Sequence, residues 1–178
     1  MSSRTTPRDG SGSSGVRGGV TEPAHLGDER TTLLSFLQRQ RDLVAWKLQG
    51  ADDDALRRVA TPSGLAPHRL VRHLTLVERG WLRHVVAGEP DPDSAGRSRQ
   101  EREQVDPGTT MDELLAEYRA ESARCDEVVA ASDLDRVSAE RGVSLRWVLL
   151  HLVEETSRHL GHLDLLREQA DGAVGEEP

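Results

Sequence analysis

The sequence has one cysteine, few aromatic residues and no isoleucine. Cys125 is the only cysteine among 178 residues, which excludes an intramolecular disulfide and favours a reducing compartment such as the cytoplasm. Aromatic residues make up 3% of the chain, so a core must be built mainly from Leu, Val and Ala. Because β-branched and aromatic residues favour strands, their scarcity favours a helical protein.

Long apolar runs and a concentrated basic charge are also missing. No run approaches the roughly 18 apolar residues that span a bilayer, and we expect no secretory signal peptide near Met1. The formal net charge is −8, which argues against nucleic acid because phosphate binding needs a basic face. Lys47 is the only lysine among 23 basic residues, an arginine excess typical of GC-rich genomes. We therefore expect a cytoplasmic protein that binds neither membranes nor nucleic acids.

The chain is predicted to contain one domain between two tails. Residues 1–27 are rich in Gly and Ser and predict a disordered segment, residues 28–172 form the domain, and residues 173–178 form a C-terminal tail. Four amphipathic helical patterns lie within the domain, and no convincing strand pattern does. Their starts are marked by acids near Asp28, by Pro67, by a capping-box pattern at Thr110 and by Ser144.

A polar connector of residues 89–108 joins the second and third of these helices. Connections longer than about 12–15 residues are usually functional or mobile. Four amphipathic helices with one long crossover connection predict an all-α four-helix bundle. Bundle interiors hold metals and ligands where facing helices turn polar side chains inward.

Polar residues on the buried face of the fourth helix are the first candidates for such a site. At about 100° per residue, His159 falls within the apolar stripe, and Glu155 lies one turn earlier on its flank. His151 and His162 fall at the edge of the stripe, on the same side as Glu155. In contrast, Glu154, Arg158 and Asp164 are predicted to face water.

His73 and His84 are the candidate counterparts on the second helix, because both lie on the same flank of its apolar face. Two histidines and one carboxylate suit Zn, Ni or Fe(II), and three protein ligands leave a coordination position for water or substrate. The pattern therefore predicts a metal site formed by Glu155, His159 and one histidine of the second helix.

Structural interpretations of the same residues remain open at this point. His73 can be a histidine at the edge of the core that is bonded to a backbone carbonyl, and Glu155 can pair with Arg158 on the surface. The histidines of the fourth helix can form a polar ridge. Glu78 is expected to pair with Arg79 or Arg83.

Three further residues are assigned structural roles. Trp81 and Trp147 are interpreted as core anchors rather than as surfaces for ligand stacking. Cys125 is interpreted as an inert buried thiol, because nothing nearby in the sequence would lower its pKa.

Two long blocks of the sequence resemble a known family. They are "TPSGLAPHRLVRHLTLVERGWLRHVVAGE" and "VSLRWVLLHLVEETSRHLGHLDLLREQADG". They resemble the DinB-like superfamily, in particular the actinobacterial branch that includes mycothiol-dependent transferases. The resemblance covers roughly residues 26–172.

The resemblance implies a four-helix bundle with a divalent metal held by three side chains. His73 matches the ligand of the second helix. The superfamily commonly has His-x3-His followed by Gly-Gln on the last helix, whereas this sequence has Glu155, His159 and His162 at those positions. A glutamate therefore replaces one histidine, and His162 is either a further ligand or a residue that orients the others. We leave His151 open between the same two roles.

The resemblance also implies a metal-dependent thiol S-transferase. A bound cation would stabilise the thiolate of mycothiol or a similar small thiol, which then attacks an electrophile. No catalytic residue of the protein itself is assigned. The alternatives are a non-catalytic stress-response bundle that sequesters a metal or small molecule, with a homodimer compatible with either function, and a purely structural helical domain.

Overall fold

The computed structural model describes residues 16–91 and 96–174, and most of these residues are helical. The helices are α1 (Glu29–Leu48), α2 (Asp53–Arg58), α3 (Pro67–Glu78), α4 (Arg99–Arg102), α5 (Met111–Ala130) and α6 (Leu145–Asp171). The four long helices α1, α3, α5 and α6 form the bundle, which confirms the predicted all-α fold. Across the two described ranges, no helix has the length and apolar character needed to cross a membrane.

Side-chain caps fix the starts of most of the helices, whereas α3 begins at Pro67 without one. Asp28, Asp52 and Ser144 each accept a hydrogen bond from a backbone N–H in the first turn that follows. Thr110 forms a complete capping box with Glu113. These contacts satisfy backbone donors that have no partner within the helix.

The helix α3 continues directly into a π-helical segment over Arg79–Val86. π-Helical turns are rare overall, but those that occur often lie at functional sites. The wider turn changes the direction of the side chains that follow. Here the segment carries Trp81 and His84, which line a cavity beside His73. The sequence pattern predicts one regular helix from Pro67 to Gly88 and does not indicate this change.

A short β-hairpin precedes the bundle, which differs from the predicted disorder of this stretch. Val16–Arg17 pairs antiparallel with Val20–Thr21 across two glycines of positive φ. Val20 is buried, and the backbone N–H of Thr21 donates to Asp42 of α1 at 2.9 Å. The burial of one valine and this hydrogen bond hold the hairpin on α1. Residues 1–15 and 175–178 lie outside the described residues.

The core consists of two apolar halves with a polar layer between them. One half includes Leu48, Leu70, Leu114 and Leu163, and the other includes Leu37, Leu82, Val129 and Leu149. Each of the four long helical stretches contributes apolar residues to both halves and carries a polar residue between them. These residues are Arg41 in α1, Glu78 in α3, Glu121 in α5 and Glu155 in α6. The candidate site lies in this layer.

Candidate metal centre

His73 enters the interior from α3, between two carboxylates. Its side chain is nearly inaccessible to solvent. The ring nitrogen Nδ1 lies 2.9 Å from Oε1 of Glu103, and Nε2 lies 3.2 Å from Oε1 of Glu155. The contacts are therefore with side-chain carboxylates, and the backbone-carbonyl interpretation of His73 is wrong.

Glu155 and His159 lie one turn apart on α6 and face His73. Nε2 of His159 is 3.2 Å from Oε1 of Glu155, the same oxygen that His73 approaches. Both residues are partly buried, whereas Arg158 is exposed and pairs with Glu154 at 3.5 Å. The helical phase therefore predicted correctly that Glu155 and His159 turn inward and that Glu154 and Arg158 face water. Asp164 was also expected to face water, but it is partly buried and pairs with Lys47. The alternative surface pair of Glu155 with Arg158 is not formed.

The three residues form a compact cluster of ligand atoms. One nitrogen or oxygen from each of His73, Glu155 and His159 lies within 4.8 Å of the others. Bonds of about 2.0–2.1 Å in a tetrahedral site separate neighbouring ligand atoms by about 3.3 Å. Both nitrogen–oxygen distances of 3.2 Å match that separation. A divalent cation therefore fits between these atoms after a small adjustment of the two rings.

The protonation of His73 also favours a cation in this position. A neutral imidazole has one N–H and one acceptor nitrogen. If that N–H is donated to Glu103, the Nε2 lone pair faces the carboxylate oxygen of Glu155. Two acceptors at 3.2 Å require a positive charge between them, either a proton on the ring or a metal ion. The donor set of the site thus matches a cation.

The pKa shifts keep two of the residues in the forms that bind metals. Burial raises the pKa of Glu155, but the contacts of its carboxylate with His73 and His159 outweigh this effect, so the pKa lies below its usual value. Burial lowers the pKa of His159, and His73 lowers it further, while Glu155 opposes both. An ionised Glu155 and a neutral His159 are the forms in which these side chains are metal ligands.

His162 and His151 lie outside this cluster of ligand atoms. The ring of His162 is 5.5 Å from that of His159, and its buried Nδ1 has no hydrogen-bond partner among the described residues. His151 instead stacks on Trp147 at 5.1 Å and meets the edge of Trp81 at 5.0 Å. Coordination by either histidine stays a prediction.

Of the two tryptophans predicted to anchor the core, Trp81 packs against its second half, whereas Trp147 does not belong to it. Trp147 is 45% exposed and Trp81 is partly buried, and their ring centroids are 5.4 Å apart. Trp81 lines a cavity of about 630 Å³ that also touches His73. A cavity of this size suits a small organic molecule.

Two residues of the connector contact the candidate site, where the sequence analysis assigned none. Glu103 is 6% exposed and contacts His73, and Arg99 of α4 lies above the same ring. The sequence does contain one signal for this arrangement. Ser98 and Glu101 form a capping box that starts α4 inside the connector, which indicates that this part of it is ordered.

Cys125 is buried, as predicted. Burial raises the pKa of its thiol, and the charge of Glu78 raises it further. A protonated thiol is a poor nucleophile. The chain therefore offers no thiolate of its own at this position.

Comparison with known families gives a match over most of the chain. The family model described as Mycothiol-S-transferase matches residues 32–172, which include all of α1 except its first turn and the whole of the other helices. No curated protein matches the chain.

Proposed function

Because the chain belongs to the mycothiol-S-transferase family, we propose that it joins mycothiol through its sulfur to an electrophile at a divalent metal centre. His73, Glu155 and His159 hold the cation, for which Zn, Ni and Fe(II) suit the nitrogen and oxygen ligands. The observation that carries this proposal is the approach of two imidazole nitrogens to one carboxylate oxygen, each at 3.2 Å. The cytoplasm is the compartment that this function requires.

A bound cation would supply charge that stabilises the thiolate form of the cosubstrate and keeps it at the site. The protein positions the thiol and the electrophile. Three ligands from two helices of a packed bundle leave room for a thiolate, and the cavity beside His73 receives the rest of the reacting molecules. The new bond forms between the thiol sulfur and the carbon of the electrophile, the thiol proton goes to solvent, and the leaving group departs with the electron pair.

Metal analysis together with turnover tests this function. The protein is purified without a histidine tag, its metal content is measured, and mycothiol is reacted with monochlorobimane. We expect about one metal per chain and turnover in the wild type. His73→Ala and His159→Ala should lose both.

His68→Ala is the matched control for these variants. His68 is also a buried histidine of α3, but its ring contacts Asp53 at 2.9 Å, away from the cluster. This variant should keep metal and turnover. Wild-type protein without metal, or full metal retention in His73→Ala and His159→Ala, would overturn the proposal. Bound metal without turnover of any thiol would favour a sequestering bundle instead.

A further inference from the structure

Glu103 is a buried carboxylate that the polar connector carries into the site. Its Oε1 accepts from Nε of Arg99 at 2.6 Å and lies 2.9 Å from Nδ1 of His73. Its Oε2 accepts from Arg69 of α3 at 3.2 Å. The two arginines fix the direction of the carboxylate, so that one oxygen points to the histidine ring.

Arg99 does not compete with Glu103 for the histidine nitrogen. Its Nη2 lies 3.2 Å from Nδ1 and 3.3 Å from Nε2 of His73. An atom that is nearly equidistant from both ring nitrogens lies over the ring rather than along either lone pair. The ring proton on Nδ1 is therefore assigned to the shorter contact, which joins Nδ1 to Oε1 of Glu103 at 2.9 Å.

From this geometry we propose that Glu103 is a positioning residue for the metal centre. It accepts the Nδ1 proton of His73, which fixes both the orientation of the ring and the tautomer in which Nε2 is free to bind the cation. Carboxylates that hold a metal-binding histidine in this way also make the imidazole a stronger ligand. This inference rests on the proposed function, in which His73 is a ligand.

Glu121 provides a matched control for Glu103. It is also buried, at 2% exposure, and it accepts hydrogen bonds from Arg79 and Arg83 at 2.9 Å each. Its contacts among the described residues are with arginines. Replacing either glutamate by glutamine removes a buried carboxylate held by two arginines, but only Glu103→Gln alters a partner of His73.

The first measurement is the affinity for Zn²⁺ by competition with a chromophoric chelator. We expect Glu103→Gln to bind Zn²⁺ about 10- to 100-fold more weakly than wild type, and Glu121→Gln to stay within about twofold. Both variants should lose thermal stability, since both leave arginines without their carboxylate. Equal Zn²⁺ affinity in wild type and Glu103→Gln, or an equal loss in both variants, would overturn the proposal.

The second measurement needs no metal. The ¹⁵N chemical shifts of the two ring nitrogens of His73 are recorded in metal-free protein, at a pH above which they no longer change with pH. Wild type and Glu121→Gln should carry the proton on Nδ1, whereas Glu103→Gln should lose this preference. A wild-type proton on Nε2 would overturn the role of Glu103. If wild-type protein binds no Zn²⁺, the proposed function fails, and the tautomer still decides whether Glu103 fixes His73.

Discussion

Two groups of charged and polar side chains share the middle layer of this bundle, and they are satisfied in different ways. The core salt bridge consists of Arg41, Glu78 and Tyr118. Arg41 donates to Glu78 at 2.7 Å through Nη2, and the hydroxyl of Tyr118 donates to Glu78 at 2.9 Å. The candidate metal centre consists of His73, Glu155 and His159.

Donors and acceptors balance in the core salt bridge. The guanidinium meets the carboxylate through two nitrogens, so the buried charges are paired within the chain. In the candidate metal centre, ring nitrogens of two histidines approach one carboxylate oxygen, and either a ring proton or a cation satisfies these contacts. The first group is satisfied within the chain and stabilises the fold, whereas we propose that the second group binds a cation. Five predictions test this distinction.

The largest effect is expected for the core salt bridge. Arg41→Ala leaves the charge of Glu78 buried and unpaired, so we expect the free energy of unfolding to fall by about 3–5 kcal/mol. Chemical denaturation of metal-free protein measures this loss. The double variant Arg41→Met with Glu78→Gln should recover most of it, because no isolated charge remains. A loss below about 1 kcal/mol for Arg41→Ala would show that the pair is not a structural element.

The next effect concerns the metal centre and should appear only when metal is added. A ligand that binds the folded state alone stabilises it by about 2.7 kcal/mol at a concentration 100 times its dissociation constant. We expect this increment on adding Zn²⁺ to wild type, and its absence in His159→Ala. His68→Ala should retain it. Equal stabilisation of wild type and His159→Ala would place Zn²⁺ elsewhere on the protein.

Acid should empty the metal centre before it unfolds the bundle. Histidine ligands must be neutral, so Zn²⁺ affinity should fall below about pH 6. The lowered pKa of His159 keeps its ring neutral as the pH begins to fall and so delays the loss. Metal retention that stays constant from pH 7.5 to 5 would contradict histidine ligation.

The bundle itself should remain folded at a lower pH than the one at which the metal is lost. Burial raises the pKa of Glu121, but hydrogen bonds from Arg79 and Arg83 outweigh it and hold the pKa below its usual value. A lowered carboxyl pKa contributes stability above the unfolded value near 4.5, and this contribution is lost as the pH falls through the folded value. Below pH 4.5 the free energy of unfolding should therefore fall less steeply with decreasing pH in Glu121→Gln than in wild type, by up to about 1.4 kcal/mol per pH unit. Unchanged dependence would exclude this role.

The smallest effect is expected on the outer face of α6. Glu154 and Arg158 are 70% and 64% exposed and lie 3.5 Å apart. Exposed pairs contribute little, so Glu154→Gln should change the free energy of unfolding by no more than about 0.5 kcal/mol. Its Zn²⁺ affinity should equal that of wild type, although the neighbouring residue is a proposed ligand. A weakened affinity would mean that both faces of the helix contribute to the site.

Local signals in the sequence were sufficient for most of the fold. Helical periodicity and the caps at Thr110 and Ser144 gave the long helices, because these interactions form within a few residues of one another. The phase of α6 separated the inward Glu155 and His159 from the outward Glu154 by the same local geometry. The hairpin at residues 16–21 was missed, since its stability comes from packing on α1.

Partners that are distant in the sequence could not be assigned in this way. Glu78 was expected to pair with Arg79 or Arg83, but its partner is Arg41, 37 residues away. Trp147 was expected in the core because of its size, and instead it lies half-exposed beside Trp81. Hydropathy describes what a residue prefers, and it does not describe which neighbour the fold provides.

The sequence by itself determined the helices, their inward faces and the three candidate ligands, because each depends on contacts within one or two helical turns. Only the tertiary structure decided that His73 meets Glu155 across the bundle, 82 residues apart, and that Glu103 reaches His73 from the connector. Buried charges pair with groups that are close in space rather than in sequence, since desolvation makes an unpaired buried charge energetically costly. That choice separates the paired core salt bridge from the candidate metal centre.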